Sequence, residues 1–188
     1  MNFNTKDLVR ISIFAALTAV SAFFSIPIGP VPITMQTLVV VLSGMILGSK
    51  AGAMSQLVYL LLGLSGLPVF AGFRGGFDSI FRPSFGFLIG FIPAAFFSGK
   101  ILEDSALTKR TSFTSALVGI ITPYVIGIPY MYMVLNFHMG KVINVIEILK
   151  IGLIPFIIGD LIKLFIAITV AYKVIPIVKG IRSGGDIS

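Results

Sequence analysis

The sequence predicts an all-α integral membrane protein with six transmembrane helices and both termini in the cytoplasm, and three observations carry that prediction. Hydrophobic residues make up 56% of the 188 positions and charged residues only 11%, against roughly 25% charged in an average soluble domain. The mean hydropathy is +1.06, which does not fit a soluble globular chain. The apolar residues fall in successive runs of about the length that crosses a bilayer, and Pro, Gly and charged residues separate them.

Those breaks delimit spans over residues 9–26, 34–48, 52–67, 84–100, 111–135 and 148–175. The first follows Lys6 and Arg10, as a secretory signal would, and Ala19-Val20-Ser21 offers a weak cleavage site. Equally apolar segments follow it, so it reads as a retained span. The second is short, and Pro30-Val31-Pro32 before it marks an extended lead-in. Thr34, Gln36 and Thr37 then either cap that helix or reach into a cavity, and the two roles are compatible. The fifth contains Pro123 and Pro129, where kinks are expected. With no fixed-period repeat and no low-complexity linker, residues 1–188 read as a single domain.

Orientation follows from the basic residues. An inward N-terminus leaves nine of the fourteen Lys and Arg on cytoplasmic segments: Lys6, Arg10, Lys50, Lys100, Lys109, Arg110, Lys173, Lys179 and Arg182. Four fall outside (Arg74, Arg82, Lys141, Lys150), and Lys163 stays in the membrane. The excess of basic residues on cytoplasmic loops sets that topology. The net charge of +7 therefore reports topology. A nucleic-acid partner is not expected, because the basic residues are scattered between apolar runs.

Absences narrow the chemistry further. There is no Cys, so disulfides and thiolate chemistry are excluded. No G-x-x-x-x-G-K-[ST], H-E-x-x-H or G-x-S-x-G pattern occurs, and His138 is the single histidine. Binding or transport is favoured over catalysis, and neither a metal nor a cofactor is called for.

Three stretches remain as candidates. Asp160 and Lys163 lie three apart inside an otherwise apolar run, on one face of a helix. An unpaired charge in mid-membrane costs at least about 3 kcal/mol. The pair is thus an ion pair neutralised for insertion, a proton relay, or a site whose carboxylate accepts and whose ammonium donates to a planar urea- or amide-like ligand. The segment from Leu67 to Gly86 mixes glycines, aromatics, Arg74 and Arg82, either as an ordinary exterior loop or as a lid whose arginines meet an anionic group. On the first span, Ala15 and Ala19 have the four-residue spacing that lets helices approach closely.

The segments Ile28 to Leu38, Gly66 to Gly72, Pro83 to Phe91 and Pro155 to Lys163 together resemble the biotin-specific substrate-binding component (S component, BioY family) of energy-coupling-factor transporters. The resemblance runs from Ile26 to about Ala171. It implies an S-component bundle in the cell membrane that captures biotin from outside. ATP hydrolysis would then fall to two ATPase subunits acting through a transmembrane coupling (T) protein. It also implies that Asp160 and Lys163 meet the ureido ring, and that Ala15 and Ala19 contact the coupling protein. Thr34, Gln36, Arg74, Gly75, Gly76 and Arg82 complete the expected binding set. Arg74, Asp78 and Arg82 stand where the family's glycine-rich loop has small or neutral residues. A self-sufficient proton-coupled carrier, with Asp160 titrating, is the alternative; a membrane-embedded enzyme is the third class.

Overall fold

The computed structural model describes residues 3–183. Its seven α-helices are α1 (Thr5–Phe23), α2 (Gln36–Leu47), α3 (Ser49–Leu64), α4 (Phe85–Glu103), α5 (Lys109–Met133), α6 (Val145–Gly152) and α7 (Ile157–Ser183). Two short strands, β1 (Ser25–Ile26) and β2 (Ile33–Thr34), pair antiparallel and close the loop between α1 and α2.

Local chemistry sets the helix starts. At α1, Asp7 N–H donates to Asn4 Oδ1 at 2.8 Å while Asn4 N–H reaches back to the Asp7 carboxylate. The same reciprocal capping opens α5 with Thr108 and Thr111, and α6 with Asn144 and Glu147. This cap starts α1 four residues ahead of the expected first span. The β1–β2 pairing ends it before Ile26. Gly48, at φ +94°, joins α2 directly to α3, so α3 starts three residues earlier than expected.

The expected sixth span proves to be two helices. Pro155 disfavours a helical backbone at Ile154, and α6 gives way to a 3-10 turn at Ile154–Phe156 before α7 begins. The break puts Asp160 in the first turn of α7, where a negative charge complements the helix dipole. By contrast, α5 continues through both Pro123 and Pro129.

Helix α2 lies against α1, α3, α4, α5 and α7. That central place is possible because its neighbours approach at glycines. A Cβ on Gly44 would strike the Ala95 carbonyl of α4, one on Gly52 would come within 2.7 Å of Gly44 Cα, and one on Gly99 would strike the backbone at Gly48 and Ser49. Small residues at crossings are how helices associate in lipid, where no hydrophobic force drives them together. Buried polar side chains add directional contacts: Gln56 Nε2 donates to Ser43 Oγ at 3.1 Å, and Ser115 Oγ donates to the Ser98 carbonyl at 2.7 Å. Ala15 is buried in a cluster with Val40 of α2 and Tyr59 of α3, and Ala19 packs against that cluster. Both alanines thus sit at internal helix crossings.

Three stretches among the described residues are long and apolar enough to cross a membrane: Phe85–Glu103, Lys109–His138 and Val145–Val178. The last presents Ile158, Leu161, Ile162 and Phe165 outward, an apolar stripe suited to lipid contact. The side chains of Lys179 and Arg182, counted above for topology, lie outside the described residues.

The α2–α4 crossing yields a stability prediction. Gly44→Ala should lower stability by about 1–3 kcal/mol, the usual effect of overpacking. Gly159→Ala should be near neutral, because its Cβ would meet only Ile33 Cγ2 at 3.9 Å. Denaturant unfolding in detergent micelles measures both, and equal effects would contradict the close crossing.

Candidate functional site

A cavity of about 220 Å³ opens where the β1–β2 loop, the Leu67–Phe85 segment, the starts of α2 and α4, the middle of α5 and the second turn of α7 converge. Its apolar wall is aromatic: Phe70, Phe85, Phe87, Phe91 and Phe156. Pro30, Val31 and Pro32 also line it, a stiff segment held by the β1–β2 pairing, with Val31 in one cluster with Phe87 and Phe156.

The charged pair lies at this cavity. Lys163 lines it, and its Nζ donates to Asp160 Oδ1 at 3.0 Å, with side-chain exposures of 4% for the lysine and 12% for the aspartate. The second carboxylate oxygen accepts from the Tyr124 hydroxyl of α5. Tyr124 also lines the cavity, so Asp160 stands one residue behind the wall, gripped by two donors that face the opening. Tyr124 is held in turn by edge contacts with Phe87 and Phe156, at ring-centroid distances of 5.7 and 6.2 Å. Sequence spacing found the pair but missed Tyr124, which lies 36 residues away and carries no local signal.

The remaining expected residues divide. Thr34 and Gln36 line the cavity, and Thr34 Oγ1 also accepts from Gln36 N–H at 3.3 Å, so helix entry and cavity lining coincide. Arg74 and Arg82 line it as well, the first exposed and the second half-buried. Neither pairs with a carboxylate among the described residues. Gly75 and Gly76 do not line it. A Cβ on Gly75 would strike the Leu67 carbonyl, while Gly76 takes φ +87° and donates its N–H to the Gly63 carbonyl at 2.7 Å. Their role in the fold is to seat the loop on the end of α3.

The loop is knitted rather than loose. Phe70 and Arg74 exchange backbone hydrogen bonds at 2.8 and 3.2 Å, turning through Gly72 and Phe73 at positive φ. Phe73 stacks on Phe23 of α1 at 4.6 Å, and Phe81 stacks on His138 at 4.9 Å. The Tyr130 hydroxyl donates to the Ile80 carbonyl. Tyr130 is six residues beyond Tyr124, about 9 Å along α5, so one helix contacts both the charged pair and the arginine-bearing loop, at different heights. Ser79, in the same loop, is buried at the cavity wall with no hydrogen-bond partner for its hydroxyl among the described residues. Among those residues, no group of three or more His, Asp or Glu side chains could hold a metal.

Fold and site together define a class: a multi-pass helical membrane protein with an aromatic-walled cavity bordered by a buried ion pair and lined by two arginines that, among the described residues, have no carboxylate partner. The chain belongs to the BioY family, whose sequence profile matches residues 1–180. A biotin transporter BioY from Thermotoga maritima is 40% identical over 172 residues, covering 89% of this chain and 95% of that protein. One from Rhodobacter capsulatus is 39% identical over 173 residues, covering 88% and 91%. Among solved structures, the S-component for biotin from an ECF-type ABC transporter superposes with a TM-score of 0.78 at 28% identity, covering 92% of this chain and 94% of that one.

The pair has a measurable signature of its own. Lys163→Met strands the Asp160 carboxylate and should destabilise the fold by about 2 kcal/mol. That is below the roughly 3–5 kcal/mol of a sealed pair, because Asp160 keeps 12% exposure. Adding Asp160→Asn should restore at least half of the loss. A double mutant no more stable than Lys163→Met, in denaturant unfolding, would show that the two charges are not coupled.

Proposed function

We propose that the protein is the substrate-capture subunit of a vitamin uptake transporter and that its cavity binds biotin from outside the cell. The observation carrying this reading is the buried Lys163–Asp160–Tyr124 cluster at the wall of an aromatic cavity. A ureido ring is planar, with N–H donors on two edges and a carbonyl oxygen between them. Lys163 donates to the ureido oxygen and Asp160 accepts from the N–H groups, each as a charge-assisted hydrogen bond. The aromatic wall covers the bicyclic ring.

The two arginines suit the other end of such a ligand. Arg82, half-buried, and Arg74, at the mouth, have no carboxylate partner of their own, and arginine binds carboxylates bidentately. An alkyl chain along the aromatic wall would join the two polar ends. Thr34 and Gln36 complete the wall, and Gly75 and Gly76 contribute by seating the loop.

In this reading residues 1–188 form one domain of six membrane spans, α6 and α7 together making the last, with both termini cytoplasmic. The sequence lacks a phosphate-binding loop, so energy comes from two ATPase subunits on other chains, through a transmembrane coupling protein. Ala15 and Ala19 would reach that coupling protein only along the edge of α1, since Ala15 is buried in this conformation.

Two binding experiments test the assignment. Asp160→Asn and Lys163→Ala should each weaken biotin binding roughly tenfold to a hundredfold, the loss of a charged hydrogen-bond partner, as measured by titration calorimetry in detergent. Unchanged affinity in both folded variants would rule the roles out. Replacing biotin by biotinamide should cost about tenfold, and Arg82→Gln should remove most of that preference. A preference unmoved by Arg82→Gln and by Arg74→Gln would place the carboxylate elsewhere.

A further inference from the structure

Gln36, Tyr59 and the carbonyl of Val69 form a short chain of hydrogen bonds whose polarity is fixed from one end. A carbonyl oxygen only accepts, so the Tyr59 hydroxyl, 3.2 Å from Val69 O, gives its single proton there. Its oxygen can then only accept from Gln36, which meets it at 2.6 Å. Gln36 must therefore turn its amide nitrogen to Tyr59 and its amide oxygen away. That oxygen takes no hydrogen bond from the described residues, and the sealed, unpartnered side-chain oxygens among them are those of Ser79 and Ser112. Gln36 is only 2% exposed and lines the cavity, so its free acceptor opens onto that space.

Gln36 and Lys163 line the same cavity, on helices that pack together. Ile33 approaches Gly159, and Leu38 shares a cluster with Leu164, which brackets Gln36 against the turn that carries Asp160 and Lys163. Both Asp160 oxygens already accept one bond each, from Lys163 and Tyr124. The Gln36 oxygen thus offers a ureido N–H an acceptor that carries no bond from the described residues, in addition to the carboxylate that already carries two.

We infer that Tyr59 is a positioning residue: by holding the Gln36 amide in one orientation, it makes this part of the wall an acceptor that selects a ligand N–H. The inference rests on the proposed binding of a ureido ligand. Tyr59 is buried behind the wall, with its ring edge packed on Phe70 at a centroid distance of 5.6 Å, and it acts through Gln36. The same bond ties Val69, at the start of the loop over the cavity, to α3. Without the hydroxyl, the Gln36 amide is free to rotate and offer its NH2 group instead.

The test compares biotin with the two cyclic carbamates in which a ring oxygen replaces either ureido N–H, on the full-length protein in detergent. The wild-type protein should disfavour the carbamate whose oxygen faces Gln36 by tenfold or more, since two acceptors then oppose each other. In Tyr59→Phe that discrimination should shrink about tenfold, because the released amide can turn to donate. Gln36→Leu, which removes the amide and leaves Tyr59 in place, should shrink it likewise. Biotin still bound with discrimination unchanged in either variant would overturn the inference while leaving the functional reading standing. A wild-type protein that binds neither biotin nor the carbamates would overturn both.

Discussion

The arrangement depends on keeping two opposite charges in a nearly dry place. A lysine 4% exposed on an otherwise apolar helix is unfavourable alone, and so is the carboxylate beside it. Their mutual contact removes most of that cost, and Tyr124 supplies a donor to the oxygen that Lys163 does not reach. A pair needed only for helix insertion could face any neighbour. This one borders a cavity, and its two donors form part of the wall.

The scaffold explains why the cavity persists at that place. Glycines let α2 run almost backbone-to-backbone with α3 and α4, and this close packing fixes the first turn of α2, with Thr34 and Gln36, against α7. Pro155 breaks the last span just ahead of Asp160, so the carboxylate occupies the first turn of a fresh helix and Lys163 the next turn, at the cavity wall. Tyr59 and Tyr130 each donate to a carbonyl of the Leu67–Phe85 segment. Aromatic stacking on Phe23 and His138 holds the same segment from outside. The loop over the opening is therefore a braced element of the fold.

Much of this was legible in the sequence, and the physics says why. Long apolar runs and a lone acid–base pair at helical spacing are local signals, and they located the helices, the membrane class and the pair. The break at Pro155 was hidden because the apolar run continues through it. The glycine pair at 75 and 76 looked like ligand-facing flexibility, yet Gly75 is needed where the chain passes the Leu67 carbonyl, a contact set by tertiary approach. Tyr124, Tyr59 and Ser79 join the site from distant segments, and an isolated Tyr or Ser in an apolar helix or loop carries no pattern that announces it. Ala15 and Ala19 show the reverse: the spacing marks a close helix approach without saying which neighbour comes close, and here α2 and α3 do.

The cavity is lined by unlike groups: an ammonium backed by its carboxylate, and two guanidinium groups. The proposed ligand also has two unlike ends, so only one orientation satisfies both. A structure determined with biotin bound measures this directly. The account predicts the ureido oxygen within hydrogen-bond distance of Lys163 Nζ and the carboxylate beside Arg82 or Arg74. The reversed pose, with the carboxylate on Lys163 and the ureido ring at the arginines, would contradict it.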